Sequence, residues 1–555
     1  MATPPMDVRA LEFHGDRMWS WRWVKAALDF AAANGLNALV FHKNDLLDLL
    51  ALPERYFSVD DVWRRWPVRY HNIDNNRQYI RSVARYAHDR GIRFFAEVKE
   101  ISFHDSLLAQ RPELWVNGGI DTATPFWWEF LEAKVSEVVE AVPEIDGIIV
   151  SPGTRESRVS ISTTQTSTKP GLSAADWYEA LIGAMYRPLA RAGKVLAVRD
   201  FTYTQAEQSV VLDAVSRVSD QIVISLKNTP HDYYPTFPNN ARIGHVGRNP
   251  QWIEFDTWGQ FFGLGVFPAI VLDDMRERFA YARKQGAIGV MARTDWEVIS
   301  DNQVLDTLNL PNLMGFTKLA SGSDIDVSDV VGQFLGHLFA TALGGGVEIG
   351  PFSLDGAPRT KAALARALNR SWEMMSKAVF VLRHVFHEDC MFPDTLKKAY
   401  MMLVEVHGIA DWAPEMAGAL DLTPEKLHEI FAEKDEAVAL AREMSEELAA
   451  ATAAEQTAAA EELRETYDLQ LWYAEGFRAC ARACFAVKWA LTTPEDADRQ
   501  KSARSEIDAL EQYRLALVDR LSGTRYCHLV YWLLDTHRLE SLHEDLERSL
   551  GAFQL

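Results

Sequence analysis

Two carboxylate residues, Glu156 and Asp232, stand in sequence surroundings that suit acid–base chemistry. Glu156 follows a glycine-containing turn after an apolar segment, where Trp127 and Trp128 can desolvate it and raise its pKa. Asp232 lies in an aromatic stretch, which suits a base that activates water. One protonated and one ionised carboxyl facing the same bond are the minimum needed to hydrolyse a glycoside. The pattern predicts that chemistry, against the simpler interpretation of two loop carboxylates with structural roles.

Polar residues also follow other short apolar segments in the first 300 residues. Charge scattered over a surface would not cluster at the end of each segment, so these residues indicate one common site. We expect the site to include His14, Asp16, His42, Lys43, Asn44, Lys99, Arg199, Lys227, Asn228, Glu254, Asp256, Gln260, Arg293 and Trp296.

The elements that must position these residues are eight apolar runs rich in β-branched residues. Stretches of helical period separate the runs, which are Leu11–His14, Ala38–His42, Arg93–Val98, Gly147–Val150, Val195–Val198, Ile222–Leu226, Trp252–Phe255 and Gly289–Ala292. This alternation predicts a closed parallel (β/α)8 barrel over residues 1–320, in which active residues stand at the C-terminal ends of the strands. The segment 230–251 has no helical period and is rich in Pro, Gly and Asn, which is typical of a functional loop.

The chain changes character after a polar connection at Ser321–Asp329, and one helical pattern then follows another. We predict an all-α helical domain over residues 321–555, and we expect it to mediate a homodimer. The alanine-rich run Ala449–Ala460 suits close helix packing. Two histidines three apart occur within His384–Asp389 on a predicted helix, but the segment lacks the HExxH pattern and lies outside the barrel. We therefore predict no metal site.

Composition excludes several other classes of function. The 57 Lys+Arg and 78 Asp+Glu give a net charge of −21, so we expect neither a nucleic-acid nor a membrane partner. The start of the sequence shows no export signal, and the four cysteines form no CxxC pair, which indicates a cytoplasmic protein. No GxGxxG segment follows a strand and no Walker sequence occurs, so we expect no cofactor.

The order of segments resembles the catalytic barrel of the α-glucuronidases of glycoside hydrolase family 67. Paired tryptophans precede the fourth strand, a strand ends in the Lys-Asn-x-Pro-x-Asp sequence Lys227–Asp232, and an x-Glu-Phe strand follows at Ile253–Phe255. The likeness covers residues 11–320. It implies a barrel enzyme that removes 4-O-methylglucuronic acid from xylan fragments with inversion, here without the family's N-terminal β domain.

The resemblance also implies roles for individual residues. Glu156 matches the family's general acid, and Asp232 matches the aspartate that positions the attacking water. Arg199 and Lys227 match contacts to the uronic sugar, and Glu254 matches a glutamate of the seventh strand.

Two positions depart from the family pattern. Gln260 stands where the family has a second basic glutamate, so a single carboxylate acts there unless Glu254 or Asp256 substitutes. Ser151 stands where the family has a lysine, which bears on the recognition of a uronate. Two alternatives therefore stay open, a glycosidase of different sugar specificity on the same barrel and a non-catalytic sugar-binding protein.

The expected stereochemistry follows from the strand positions of the two carboxylates. Glu156 and Asp232 follow strands four and six, with strand five between them. This placement favours the roughly 6.5–9.5 Å separation of inverting enzymes over the roughly 5–5.5 Å of retaining ones. We expect a small oligosaccharide as the substrate.

Overall fold

The computed structural model describes most of the chain. The described residues are 4–57, 60, 64, 67–99, 101–103, 106–116, 119–121, 124–152, 160–161, 173–200, 205–296, 302–338, 358–406, 408–523 and 525–551.

Eight parallel strands form a closed barrel, which confirms the predicted fold class. The strands are β1 Val8–Phe13, β2 Ala38–His42, β3 Arg93–Lys99, β4 Gly147–Ser151, β5 Val195–Arg199, β6 Val223–Lys227, β7 Gln251–Asp256 and β8 Gly289–Arg293. Each strand pairs with its neighbours in the chain, and β8 closes the barrel on β1 with Val8 opposite Gly289.

The described helices surround the barrel and then continue as the C-terminal region. Their bounds are Trp21–Ala33, Leu46–Leu50, Pro67–His88, Ser106–Gln110, Phe126–Ala141, Ala174–Arg191, Gln205–Val218, Leu272–Lys284, Leu310–Ala320, Val327–Leu338, Pro358–Val379, Leu396–Met401, Pro424–Thr452, Ala458–Leu491, Ala497–Ser522, His528–Leu533 and Thr536–Gly551. A C-terminal all-helical region therefore follows the barrel, as predicted. The division at residue 320 stays a prediction.

The barrel interior is apolar in its N-terminal half because side chains alternate along each strand. A separate buried cluster fills this half and includes Val8, Val40, Phe95, Trp252 and Met291. The rings of Phe95 and Trp252 meet edge to face with centroids 5.4 Å apart. This cluster forms an apolar floor inside the barrel. The inward-facing positions nearer the C-terminal ends of the strands hold the polar residues.

Trp252 fits inside the barrel because the neighbouring strand has a glycine opposite it. A Cβ atom added at Gly289 would lie 2.4 Å from Cδ1 of Trp252, which no side chain tolerates. Any larger residue at Gly289 would therefore displace the tryptophan that fills the floor.

The connection between β6 and β7 contains no helix, as predicted. Residues 228–250 form turns that lie over the C-terminal end of the barrel, and Asp232 adopts a left-handed backbone with a φ of 49°. The missing helix places Asp232 and Tyr233 at the barrel mouth.

The helix that begins at Pro358 ends at Val379, earlier than its sequence pattern predicts. Phe380–Val381 and His384–Val385 pair as a short antiparallel hairpin, with positive φ values at Leu382 and Arg383. The predicted helix was therefore wrong across His384. The hairpin redirects the chain toward the barrel.

The alanine-rich run does not form one continuous helix. The helix Pro424–Thr452 ends within it, and the helix Ala458–Leu491 also starts within it. The two helices pack against each other along their lengths. Among the described residues, no helix combines the length and the hydropathy that a bilayer crossing needs.

Lys434 closes the C-terminal end of the helix that precedes the hairpin. Its buried Nζ donates to the carbonyl oxygens of Lys377, Ala378 and Phe380. Replacement by Met in Lys434→Met leaves these buried acceptors without a donor, so the free energy of unfolding should fall by about 3 kcal/mol or more. Urea denaturation measures the change.

Lys426→Met on the same helix is the matched control. Lys426 is partly exposed and contacts Glu429 three residues away, so its loss should change the free energy of unfolding by less than about 0.5 kcal/mol. Equal losses in the two variants would contradict the closing role of Lys434.

Candidate active site

Arg199 is the centre of a buried polar network at the end of β5. Its Nε donates to Glu254 Oε2 at 2.7 Å, and its Nη1 donates to Glu97 Oε1 at 2.7 Å. Its Nη2 donates to the Tyr233 hydroxyl at 2.5 Å. All three nitrogens are thus bound, and Arg199 is 1% exposed. Arg199 therefore holds other side chains of the barrel interior in position. Its predicted contact to a sugar carboxylate stays a prediction.

Glu254 is held on both carboxyl oxygens. Its Oε2 accepts from Arg199 and from the Tyr233 hydroxyl at 2.6 Å, and its Oε1 accepts from the Ser225 hydroxyl at 2.6 Å. These contacts join β5, β6, β7 and the loop after β6. Glu254 is therefore placed to position other groups.

His14 and His42 stack face to face at the ends of β1 and β2. Their ring centroids are 3.6 Å apart, with an angle of 6° between the rings. Nδ1 of His14 accepts from Arg293 at 2.9 Å, because a guanidinium only donates. Burial and the nearby cations hold the pKa of both rings well below the usual range of histidine. Both histidines are therefore neutral at pH 7.

Two carboxyl groups fix these histidines. Nδ1 of His42 lies 2.6 Å from Oε1 of the buried Glu12. Asp295 accepts from the backbone N–H groups of His14 at 2.6 Å and Gly15 at 3.0 Å. Burial raises the pKa of Asp295 to about 7 despite these two bonds.

Asp232 pairs with Lys227 at the rim of the barrel. Lys227 Nζ lies 2.6 Å from Asp232 Oδ1, and the Asp232 side chain is 16% exposed. Burial raises the pKa of Asp232, but the charge and hydrogen bond of Lys227 outweigh burial and lower it to about 2. Burial lowers the pKa of Lys227 to about 8. Asp232 is consequently an ionised carboxylate throughout the neutral range.

Gln260 links strand β8 to the helical region. Its Oε1 accepts from Arg293 Nη1 at 2.5 Å, and its Nε2 donates to Asp389 Oδ1 at 2.8 Å. Asp256 fixes this loop by accepting the backbone N–H groups of Trp258, Gly259 and Gln260. Gln260 thus contacts a carboxyl group outside the barrel.

Several expected residues lie at the edge of this arrangement. Asp16 and Lys43 form an exposed pair at 3.4 Å, and Trp296 packs on Trp532 with centroids 5.6 Å apart. Lys99 is buried at the end of β3. Asn44 and Asn228 form backbone hydrogen bonds at the barrel mouth. The N–H of Lys99 donates to the Asn44 carbonyl, and the N–H of Asn228 donates to the Glu254 carbonyl. Glu156, the predicted general acid, lies outside the described residues.

Sequence reasoning missed Glu12, Glu97 and Asp389. Glu12 and Glu97 lie within strands, whereas the expected residues were chosen at or after the strand ends, with Glu254 as the exception. The strand period of two could have found them, because Glu12 shares its face with Val8 and Ala10. Asp389 carries no local signal, since only tertiary packing brings it to the barrel.

Glu12, His14 and His42 bring ligand atoms within 4.8 Å of one another, as a metal site would. The geometry does not fit a metal ion. A metal lies near the plane of each imidazole that binds it, and two nearly parallel rings share no such plane. The cations Arg199 and Arg293 further disfavour a divalent ion. We keep the prediction that the site holds no metal.

Several solved structures with a similar fold are glycoside hydrolases. The fold resembles that of a GH138 enzyme targeting pectin rhamnogalacturonan II, with a TM-score of 0.63, 13% identity and coverage of 94% of this chain and 63% of that chain. The chain thus spans less than two thirds of that enzyme. At this identity the likeness shows a shared fold.

Two further structures are similar at lower scores. A GH89 enzyme from Clostridium perfringens has a TM-score of 0.49 and 11% identity, covering 99% of this chain and 58% of that chain. A GH115 4-O-methyl-α-glucuronidase with specificity for decorated arabinogalactans has a TM-score of 0.44 and 11% identity, covering 97% of this chain and 60% of that chain. No family model matches the sequence, and no curated protein matches it. The specific resemblance to family 67 is therefore not supported.

Tyr233→Phe tests the buried network without changing the shape of the ring. The hydroxyl accepts from Arg199 and donates to Glu254, so its loss leaves both charged groups less satisfied. The free energy of unfolding should fall by about 1–3 kcal/mol, as urea denaturation can measure. Tyr281→Phe is the control, because the Tyr281 hydroxyl bonds to no residue that the structure describes. A Tyr233→Phe protein as stable as this control would refute the network's contribution.

Proposed function

We propose that the protein is an inverting glycoside hydrolase that removes a terminal uronic acid from small oligosaccharides. The observation that carries the proposal is Asp232, an ionised and partly exposed carboxylate at the C-terminal rim of a closed parallel barrel. This rim is where barrel enzymes of this architecture perform their chemistry. The shared fold with an enzyme that targets pectin rhamnogalacturonan II also supports a glycosidase.

The charges around the histidine pair support a uronic acid as the sugar. Lys99, Arg199, Lys227 and Arg293 all lie close enough to His42 to lower its pKa. Glu97 and Glu254 neutralise Arg199, and Asp232 neutralises Lys227. Arg293 instead donates to the uncharged side chains of Gln260 and His14. Its charge can therefore attract an anion, and a uronic acid is a sugar that carries a carboxylate. The two histidines are neutral, so they add no charge that would change this attraction.

In this proposal two carboxyl groups act from opposite sides of the glycosidic bond. Glu156, retained from the sequence prediction, gives its proton to the leaving oxygen. Asp232 holds the attacking water on the other side, where its fixed negative charge orients the water's hydrogen atoms. Arg199 and Glu254 keep the loop of Tyr233, and with it Asp232, in place.

The proposal is tested with a matched pair of substrates, p-nitrophenyl α-D-glucuronide and p-nitrophenyl α-D-glucoside, beside uronic acid-capped xylo-oligosaccharides. The uronide should have a kcat/KM about 10–100-fold above the glucoside, because one hydrogen bond to a charged group contributes about 1.5–3 kcal/mol. Proton NMR of the first product should show the anomer opposite to that of the substrate.

Each readout can contradict a different part of the proposal. A preference for the glucoside would contradict the proposed specificity for a uronic acid but not the proposed glycosidase activity. An initial product with the configuration of the substrate would mean a covalent intermediate. No turnover of any glycoside would favour the non-catalytic alternative.

Glu156→Gln tests the proposed general acid. The rate should fall by roughly 10²–10⁴ on substrates with poor leaving groups and far less on p-nitrophenyl glycosides, since these need no proton. Steady-state kinetics on both substrate classes measures this. Glu144→Gln serves as the control, because Glu144 binds Arg81 and Arg85 on the outer surface of the barrel. Equal losses on both classes would assign Glu156 a structural role.

Homodimerisation and a cytoplasmic location stay predictions. Leu515 and Val518, which are 53% and 42% exposed on the helix Ala497–Ser522, offer apolar surface for a dimer contact. Their spacing of three residues places both on one face of that helix.

A further inference from the structure

Asp389 reaches the barrel mouth from the helical region. It is buried, and its Oδ1 accepts from Gln260 Nε2 at 2.8 Å. The same amide accepts from Arg293 at 2.5 Å, so a single side chain connects Asp389 to the end of β8. Only one of its two carboxyl oxygens accepts a hydrogen bond among the described residues.

The backbone holds Asp389 in a sparsely populated conformation. Its φ is 49° and its ψ is 36°, in the left-handed region. Cys390 follows with the same φ, its carbonyl accepts from the Tyr473 hydroxyl, and its Sγ accepts from the N–H of Gly263 at 3.1 Å. Such a conformation persists only where the surroundings enforce it, and it clusters at functional sites. Asp232 has the same left-handed φ of 49°.

The groups that face Asp389 raise its affinity for a proton. Burial raises its pKa to about 7, and the charges of Glu388 and Asp232 add to this, against the Gln260 hydrogen bond and the charge of Arg293. Tyr234 stands near both aspartates, whose charges help to raise its own pKa. Asp389 and Asp232 thus share one electrostatic environment.

The two aspartates differ as proton acceptors. A carboxylate whose pKa is about 2 binds a proton too weakly to take it efficiently from water at neutral pH. A carboxylate whose pKa is about 7 matches the working pH of a general base. The division of labour between two carboxyl groups with separated pKa values is the usual solution to such a step.

We propose that Asp389 accepts the proton of the attacking water, while Asp232 orients that water. The inference rests on the proposed function. The water oxygen bonds to the anomeric carbon as the glycosidic C–O bond breaks. The proton of the water passes to Asp389, and the leaving oxygen takes its proton from Glu156. Gln260 fits this role better than a glutamate would, because its amide donates to Asp389 and a carboxylate would repel it.

Asp389→Asn tests the proposal, since Asn has the same shape and tolerates the left-handed backbone. In the wild type, kcat/KM should rise with pH through about 7 as Asp389 ionises. In the variant that rise should vanish, and kcat should fall by roughly 10²–10⁴ on p-nitrophenyl and xylo-oligosaccharide substrates alike. Asp389→Glu should restore part of the rate and the pH dependence.

Glu388→Gln provides a second and gentler test. The side chain of Glu388 is exposed, and its charge raises the pKa of Asp389. The variant should keep the wild-type kcat and shift the rise in kcat/KM to lower pH. An unshifted rise would overturn the proposal even if Asp389→Asn failed to fold.

The outcomes separate this proposal from the proposed function. A wild type that hydrolyses no glycoside overturns both. An active wild type with an equally active Asp389→Asn overturns this inference alone. A loss confined to poor leaving groups would also overturn it, because that pattern belongs to a proton donor.

Discussion

A guanidinium buried inside a barrel is out of reach of bulk water, so protein groups must accept the hydrogen bonds of its N–H donors. Arg199 meets this requirement with Glu97 on β3, Glu254 on β7 and Tyr233 on the loop after β6. Removing any one of these partners leaves a buried N–H group of the guanidinium without an acceptor, which is more costly than the loss of a surface pair. The buried polar residues around Arg199 therefore depend on one another for their stability.

That unit sets the position of the chemistry at the rim. Tyr233 is fixed from below by Arg199 and Glu254, so the adjacent Asp232 has little freedom. Lys227 lies one alternation step above Ser225, which itself binds Glu254. The pair Lys227–Asp232 is consequently positioned by the network of Arg199, Glu254 and Tyr233.

Sequence reasoning predicted the barrel well, because its strands obey a period that depends only on burial. Strands β2 to β8 begin and end within one residue of the predicted runs. Strand β1 starts three residues before its predicted run, because Arg9 interrupts the apolar pattern. The polar residues of the mouth were found where they follow strands. Glu12 and Glu97 were missed because a charged residue inside a strand resembles a solvent-facing position.

The helical region was harder to predict from local patterns. The apolar residues Phe380, Val381 and Val385 continue a helical period, yet they form a hairpin, since Lys434 binds the carbonyls at the end of the helix. A lysine fifty residues further along the chain decides this ending, and local sequence carries no trace of it. Asp389, which follows the hairpin, was equally invisible.

The barrel mouth contains residues that are synthesised at very different times. Chains are made from the N-terminus, and domains generally fold in that order. All eight barrel strands leave the ribosome before Asp389, and Asp389 leaves before Tyr473, which anchors the neighbouring Cys390 carbonyl. A barrel that folded before the helical region was made would hold Arg199 and Glu254 in place, while Gln260 would still lack its carboxyl partner. Its mouth would be complete only after the helix Ala458–Leu491 had been made and had docked.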